Sequence, residues 1–307
     1  MIKVEDIVYA RFRAPDLDKM ENFLVDFGMQ RYARTETALF MRGVGADPIL
    51  HVTELGEPGF VGLALQASSE ADLNSVAEAN GVSVEARTEP GGGKRALVHD
   101  PDGFPIEVLH GLERLDVAEV QEIAPLNARL EKPRLGDVKR MAAGPAHVHR
   151  LGHLVLNVTD YQKSFAWYHE QFGLLKSDEI YVGDENTVIG AFTRCDQGEK
   201  FVDHHTLFLL GTGKPGFNHA AWEVADLDDL MLGRDVLTDK GHKSVWGVGR
   251  HILGSQVFDY WRDPWGHTVE HWTDGDLFNA STPPGKASLD ELLGQQWGPG
   301  PLEDMAG

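Results

Sequence analysis

The chain has 307 residues, of which 42% are hydrophobic and 25% are charged, the balance of an ordinary globular protein with room for two domains. Its net charge of -20 at pH 7 argues against nucleic acid or an anionic membrane as a partner, because both would repel it. No apolar run is long enough to span a membrane, no secretory signal opens the chain, and Cys195 is the only cysteine. We therefore expect a cytoplasmic protein without internal disulfides.

One predicted unit occurs four times along the chain: a short strand, a helix of about a dozen residues, and then further strands. Each predicted helix opens near a residue that favours helix N-termini, namely Asp16, Ser69, Asp160 or Asp226. This succession of strands and helices predicts an α+β fold. The predicted units span residues 6–55, 59–111, 152–211 and 216–275.

The third and fourth units repeat the first and second, so the chain is a duplicated pair. The second unit ends in HDPDGFPIEVLHG and the fourth in RDPWGHTVEHWTDG, which aligns Glu107 with Glu270. A charged connector separates the pairs, and the last segment has no counterpart in the repeat and is expected to wrap over the second domain. The predicted boundaries are 1–111 for the first domain, 112–147 for the connector, 148–278 for the second domain and 279–307 for the tail.

The two halves differ at the positions that carry chemistry. His153 stands where the first half has Tyr9, and His219 stands where it has Gly62, while the carboxylate of Glu270 has a counterpart in both halves. Two imidazoles and one carboxylate, with open positions left over, form the ligand set of non-haem Fe(II) oxygenases. The carboxylate of the first half lacks histidine partners, so we expect it to be structural or at the surface and that domain to hold no metal.

The last predicted hairpin carries a spaced motif. Its turn, Asp263-Pro264-Trp265-Gly266, separates two runs that favour strands. The pattern is G-x-H-x(7)-[apolar]-Y-x-x-D-P-x-G-x(3)-E, and the matching residues are Gly249, His251, Tyr260, Asp263, Pro264, Gly266 and Glu270. With this motif the chain resembles, over nearly its whole length, the type I extradiol (meta-cleaving) catechol dioxygenases of the vicinal oxygen chelate superfamily. Asp259 replaces the apolar residue of the pattern, and we expect it to alter the pocket wall.

The resemblance implies a fold and a function. The fold would be two domains of paired βαβββ modules, the glyoxalase-like fold, with the catalytic site in the second domain. The function would be insertion of both atoms of O2 into a catecholic substrate, adjacent to its vicinal hydroxyls, in aromatic compound degradation. The cofactor would be Fe(II), with Mn(II) as an alternative ion, and the protein would be a homo-oligomer.

The resemblance also implies roles for individual residues. The metal ligands would be His153, His219 and Glu270, and the partners of substrate and oxygen would be His251 and Tyr260. The catalytic acid–base would be a histidine ahead of the second ligand, where the chain has His204 and His205. The family's spacing favours His205, and alternation along a strand predicts that the two side chains point in opposite directions.

The identity of the catechol stays open, because family members open single-ring and multi-ring substrates. Residues predicted at the pocket are Trp222, Phe192, Asp259 and the segment 278–284, and those predicted at the surface or behind the ligands are His242, His267 and His271. Two other functions of the superfamily also stay open. One is a glyoxalase-type metal-dependent isomerase or lyase, and the other is a non-catalytic, bleomycin-type small-molecule binding protein.

Overall fold

Four helices begin at the residues that the sequence predicts, because a side chain at each start caps the helix. The carboxylates of Asp16, Asp160 and Asp226 and the hydroxyl of Ser69 each accept a hydrogen bond from the backbone N–H three residues on. The computed structural model describes residues 2–118 and 124–300. Its helices are α1 Leu17–Asp26, α2 Glu70–Ala79, α3 Tyr161–Phe172, α4 Leu227–Asp239 and the single turn α5 Leu289–Leu292.

The first half of the chain forms one eight-stranded sheet. Its strands are β1 Val4–Ala14, β2 Gln30–Arg34, β3 Ala38–Arg42, β4 His51–Leu55, β5 Gly59–Ala67, β6 Glu85–Ala86, β7 Lys94–His99 and β8 Pro105–His110. Their order across the sheet is β2-β3-β4-β1-β5-β8-β7-β6. The first strands of the two units, β1 and β5, therefore meet antiparallel at the centre.

The second half repeats this arrangement in a larger sheet. Its strands are β9 Val148–Val158, β10 Leu175–Tyr181, β11 Val188–Arg194, β13 Leu207–Gly211, β14 Gly216–Val224, β15 Lys243–His251, β16 Val257–Arg262, β17 Thr268–Thr273, β19 Gly285–Ser288 and β20 Gln295–Trp297, while β12 Val202–Asp203 and β18 Leu277–Phe278 pair separately. The order is β19-β10-β11-β13-β9-β14-β17-β16-β15-β20, with β9 and β14 antiparallel at the centre. The predicted fold class, paired βαβββ modules, is confirmed.

One apolar core cluster contains residues of both halves. The ring of Phe27, at the end of α1, packs edge-on against Trp222 of β14 with ring centroids 5.8 Å apart. On the other side of the molecule, the Tyr168 hydroxyl of α3 donates a hydrogen bond of 3.1 Å to the Asp100 carboxylate of the first half. The two sheets therefore support each other by shared burial.

The tail adds a strand to each end of the second sheet. β19 pairs with β10 at one edge, and β20 pairs with β15 at the other. A flat sheet of ten strands would separate these edges by about 43 Å, since neighbouring strands lie about 4.8 Å apart. The seven residue steps from Ser288 to Gln295 span at most about 25 Å. The sheet is therefore strongly curved, and α5 lies across its open side.

Between His110 and Val148, the part of the chain that the structure describes contains no helix or strand. The domain boundaries at 111, 148 and 278 stay predictions. No helix among the described residues is long and apolar enough to cross a membrane.

The interface between the halves makes folding sensitive to acid. His51 is stacked on Phe12 at 5.0 Å between ring centroids and lies near Trp222. Burial lowers the pKa of His51 from 6.5 to about 3. Below about pH 6.5 the unfolded chain takes up a proton there that the folded chain excludes, so the free energy of unfolding falls as the pH falls, by about 1.4 kcal/mol per pH unit for one such histidine.

We therefore expect His51→Gln to reduce the acid sensitivity of the melting temperature. The difference in melting temperature between pH 7 and pH 5 should be several degrees smaller than in the wild type. The reason is that glutamine cannot take up the proton that, at pH 5, lowers the free energy of unfolding of the wild type by about 2 kcal/mol. The control is His99→Gln, at an exposed position. Equal acid sensitivity of wild type and His51→Gln would contradict the expectation.

Candidate metal centre and substrate pocket

Three adjacent central strands, β9, β14 and β17, carry the proposed metal ligands. His153 on β9 and Glu270 on β17 are both paired with Ala221 on the strand between them, and His219 is two residues before Ala221. Residues paired across neighbouring strands, and residues two apart along one strand, share a face of the sheet. The small side chain of Ala221 leaves room for its larger neighbours to meet above it.

The three proposed ligands bring their donor atoms to distances that suit one bound ion. These ligands are His153, His219 and Glu270. Glu270 Oε2 lies 3.3 Å from His153 Nε2 and 3.4 Å from His219 Nε2. One ligand atom from each residue lies within 4.8 Å of the others. Adjacent donors around an ion with bonds of about 2.1 Å are separated by about 3 Å, so the spacing suits a transition metal.

Burial leaves this carboxylate without a cationic partner among the residues that the structure describes. Glu270 is fully buried, and although the Tyr260 hydroxyl lies near it, neither of its oxygens accepts a hydrogen bond of good geometry from a residue the structure describes. Burial raises the pKa of Glu270, which measures the cost of its charge in the absence of a compensating cation. A divalent ion between the carboxylate and the two imidazoles would remove that cost, so the residues present fit a metal.

Both imidazoles are in the form that binds metal. Burial lowers the pKa of His153 to about 3 and that of His219 to about 4, so each is neutral at pH 7. Asn218 Oδ1 lies 2.8 Å from His219 Nδ1 and accepts a hydrogen bond from its N–H, which leaves the lone pair at Nε2. The sequence analysis missed Asn218; its position next to a proposed ligand was the available signal.

His251 and Tyr260 stand beside the carboxylate. His251 Nε2 is 3.0 Å from the Tyr260 hydroxyl and 3.8 Å from Glu270 Oε1. Burial raises the pKa of Tyr260 well above 10, so the phenol keeps its proton and can donate it in a hydrogen bond. Burial also lowers the pKa of His251 to about 4, which keeps that ring neutral.

His205 lines the same pocket as His153 and His219, whereas His204 does not. The His205 and His153 ring centroids are 4.1 Å apart. The expectation that His204 and His205 point in opposite directions is wrong: their Nδ1 atoms lie 3.0 Å apart. The two residues fall between β12 and β13 and not within a strand, so strand alternation does not apply to them.

The pocket walls are mainly apolar. Besides the site histidines and Tyr260, the lining residues are Val155, Phe192, Phe208, Leu210, Asn218, Trp246, Leu253, Gln256, Leu292 and Leu293. Of the predicted pocket residues, only Phe192 is among them. Trp222 lies in the interface between the halves, and the tail contributes Leu292 and Leu293 in place of 278–284.

Asp259 does not alter the pocket wall, contrary to the prediction. Its side chain is fully buried on the other face of β16, where it lies 2.6 Å from Arg234 Nη1 and accepts a hydrogen bond of 2.7 Å from Trp261 Nε1. The neighbouring Tyr260 faces the pocket, because successive side chains alternate along a strand.

The remaining histidines have structural contacts. His267 Nδ1 lies 2.7 Å from Asp263 Oδ2 in the hairpin turn, and His242 Nε2 lies 3.0 Å from Asp26 Oδ2. His271 is neither at the surface nor behind the ligands: it is fully buried, its ring stacks on Phe27 at 3.8 Å, and its Nε2–H donates to a backbone carbonyl. Side chains alternate along a strand, so His271, which follows Glu270 on β17, points to the opposite face of the sheet and toward the first half.

The equivalent position in the first half is closed to metal. Glu107 is buried but lies 2.9 Å from Arg11 Nη2 and 3.0 Å from Arg95 Nη1. At Gly62, the position equivalent to His219, an added Cβ would lie 2.2 Å from the carbonyl oxygen of Pro105. Arginine therefore supplies the positive charge in this half, and no histidine fits at residue 62.

The chain matches a known family and known proteins in sequence. Residues 150–271 match the family model of the Glyoxalase/Bleomycin resistance protein/Dioxygenase superfamily. The chain is 30% identical over 304 residues to "Metapyrocatechase 2" of Cupriavidus necator, an alignment that covers 96% of this chain and 89% of that protein.

Two solved structures share the fold. Homoprotocatechuate 2,3-dioxygenase from Brevibacterium fuscum, at 21% identity and a TM-score of 0.80, matches 99% of this chain and 92% of its own. The Mn(II)-bound glyoxalase from Novosphingobium aromaticivorans, at 24% identity and a TM-score of 0.78, matches 98% of this chain and 93% of its own. On its sequence match along nearly the whole chain, the protein belongs to the extradiol ring-cleaving catechol dioxygenases of the Glyoxalase/Bleomycin resistance protein/Dioxygenase superfamily.

Proposed function

We propose that the protein inserts both atoms of O2 into a catecholic substrate beside its two hydroxyls, using Fe(II) held by His153, His219 and Glu270. The observation that carries the proposal is the buried Glu270 carboxylate, which has no cationic partner among the described residues and lies beside two neutral imidazoles that line an apolar pocket. Two imidazoles and one carboxylate are typical of non-haem iron oxygenases, and Mn(II) fits the same donors.

His153 and His219 line the pocket, and the buried Glu270 carboxylate lies beside both imidazoles. When bound, Fe(II) would lower the pKa of the substrate hydroxyls and carry electrons from the ring to dioxygen. In this proposal His205, which lines the pocket, takes a proton from one hydroxyl and returns it later; burial lowers its pKa well below 6.5, so the ring is neutral and has a lone pair to accept that proton. Tyr260 and His251 are placed to hydrogen-bond the oxygens as charge develops on them.

The walls favour an uncharged aromatic ring. Phe192, Phe208 and Trp246 offer ring faces and edges, and Leu210 and Leu292 offer aliphatic surface. No lysine or arginine lines the pocket among residues 2–118 and 124–300, so an anionic substituent would be buried there without a partner. We therefore propose a catechol with uncharged substituents.

We also propose a cytoplasmic location and a homo-oligomeric state. The single cysteine, Cys195, is buried and unpaired, which suits a reducing compartment. The net charge of -20 favours neither nucleic acid nor an anionic membrane as a partner.

The direct test is to add Fe(II) and a panel of uncharged catechols to the purified protein under air. We expect a yellow ring-opened product and consumption of one O2 per substrate, measured by absorbance and an oxygen electrode. A glyoxalase-type isomerase would change its substrate without consuming oxygen. A bleomycin-type binding protein would bind the catechol without turnover. Either result would overturn the proposal.

The duplication supplies a matched pair of variants for the metal site. Glu270→Gln removes the charge that binds the ion, so iron per chain and ring cleavage should fall by at least about tenfold. Glu107→Gln makes the same change at the equivalent position, where two arginines are the partners. It should keep full iron and activity but lower the melting temperature, because two guanidinium groups lose a buried partner. Iron retention in Glu270→Gln, or iron loss in Glu107→Gln, would contradict the assignment.

His205→Asn should separate proton transfer from metal binding. We expect kcat to fall roughly 10²- to 10⁴-fold, the usual contribution of a general acid–base, while iron content stays unchanged. The control is His242→Asn, whose histidine pairs with Asp26 outside the pocket. A His205→Asn enzyme with wild-type kcat would remove His205 from the mechanism.

A further inference from the structure

Two polar side chains lie behind His205, outside the pocket lining. His204 Nδ1 is 3.0 Å from His205 Nδ1, and His204 Nε2 is 2.7 Å from Asp178 Oδ2. His204 and His205 are 1% and 3% exposed, so solvent does not compete for the hydrogen bond between them, and 17% of the Asp178 side chain is exposed at the other end. The three residues form a continuous chain from the pocket to β10.

The direction of each hydrogen bond follows from the chemistry of the groups. An ionised carboxylate only accepts, so His204 must carry its proton on Nε2 toward Asp178. The Nδ1 of a neutral His204 is then an acceptor, and His205 must donate to it from its own Nδ1. The proton of neutral His205 is thereby held on Nδ1, and its Nε2 keeps a free lone pair.

We propose that Asp178 and His204 are positioning residues that hold His205 in the tautomer able to accept a substrate proton at Nε2. The inference rests on the proposed function in assigning His205 as the base. When His205 takes up a proton at Nε2, its Nδ1–H still donates to His204, whose Nε2–H still donates to Asp178. The carboxylate charge then stabilises the imidazolium through the intervening ring.

The surroundings of His204 hold its ring in one orientation. The rings of Phe192 and Phe278 lie at centroid distances of 5.3 and 5.1 Å, and the His204 backbone N–H donates to the carbonyl of Asp276 at 2.9 Å. An added Cβ at Gly254 would lie 3.0 Å from His204 Nδ1. Such packing is what a residue with a purely orienting role requires.

The tail covers the other end of the chain of hydrogen bonds. Asp178 on β10 is paired with Gly285 on β19, and an added Cβ at Gly285 would lie 2.1 Å from Asp178 Oδ1. Arg194, which is 1% exposed, forms no ion pair with another described residue. Burial lowers the pKa of Arg194 while the charges of Asp178 and Asp196 raise it, so Asp178 lies near a buried cation.

The test compares Asp178→Asn with Glu179→Gln. The first keeps the side-chain volume but removes the charge that holds the proton on His204 Nε2. The second makes the same chemical change one residue along β10, where the partner is Lys176. We expect Asp178→Asn to lower kcat by at least about tenfold, part of the 10²- to 10⁴-fold contribution of general acid–base catalysis, with KM, iron content and melting temperature near wild type. Glu179→Gln should match the wild type throughout.

A double-mutant cycle distinguishes positioning from a general structural effect. If Asp178 acts through His205, then Asp178→Asn should cause no further loss of kcat in a His205→Asn background. The same fold loss in both backgrounds would overturn the proposal. So would a change in KM or iron content with kcat unaltered.

A readout without turnover keeps the inference separate from the proposed function. In the metal-free protein labelled with ¹⁵N-histidine, NMR ring shifts should show His205 protonated on Nδ1 in the wild type and in Glu179→Gln, and a mixture of tautomers in Asp178→Asn. An unchanged tautomer in Asp178→Asn would overturn the positioning role. Failure of the wild type to open any catechol would instead count against the proposed function, and the NMR result would still decide the hydrogen-bond assignment.

Discussion

The rest of the site depends on one buried carboxylate without a cationic partner among the described residues. Glu270 lies in the middle of the second sheet, fully buried, with both oxygens unpaired among the described residues. A carboxylate in that position is costly unless a positive charge compensates it. The nearest candidates for protons are His153 and His219, and burial keeps both neutral. The site is therefore complete only with a cation, which is why the geometry favours a metal enzyme over a metal-free binding protein.

The two halves surround an equivalent buried carboxylate with different partners. Glu107 and Glu270 occupy equivalent positions on equivalent strands, and both are buried. The first half places Arg11 and Arg95 against its carboxylate, and the second half places two imidazoles there. A guanidinium supplies a permanent charge and gives a structural ion pair. A pair of neutral imidazoles supplies lone pairs and gives the proposed metal site. The fold is common to both halves, and the chemistry comes from a few residues on it.

The tail pairs with both edges of the curved second sheet and also lines the pocket. It pairs with both edges of the second sheet, and its one-turn helix α5 brings Leu292 and Leu293 to the pocket wall. Its strand β19 also covers Asp178 at the far end of the hydrogen bonds to His205. The same segment therefore helps to enclose the substrate site and packs against Asp178, which orients the proposed base through His204.

The sequence by itself determined the repeat, the starts of four helices and the residues proposed as ligands. Helix caps are local signals, and a duplicated chain offers an internal comparison that singles out His153 and His219. Only the tertiary structure decided which faces Asp259 and His271 occupy, that Glu107 is paired with arginine, and that His204 touches His205. Strand alternation predicts facing only inside a strand. Contacts such as Asp178 with His204, or the tail with the pocket, depend on sheet curvature and chain packing, which no local pattern encodes.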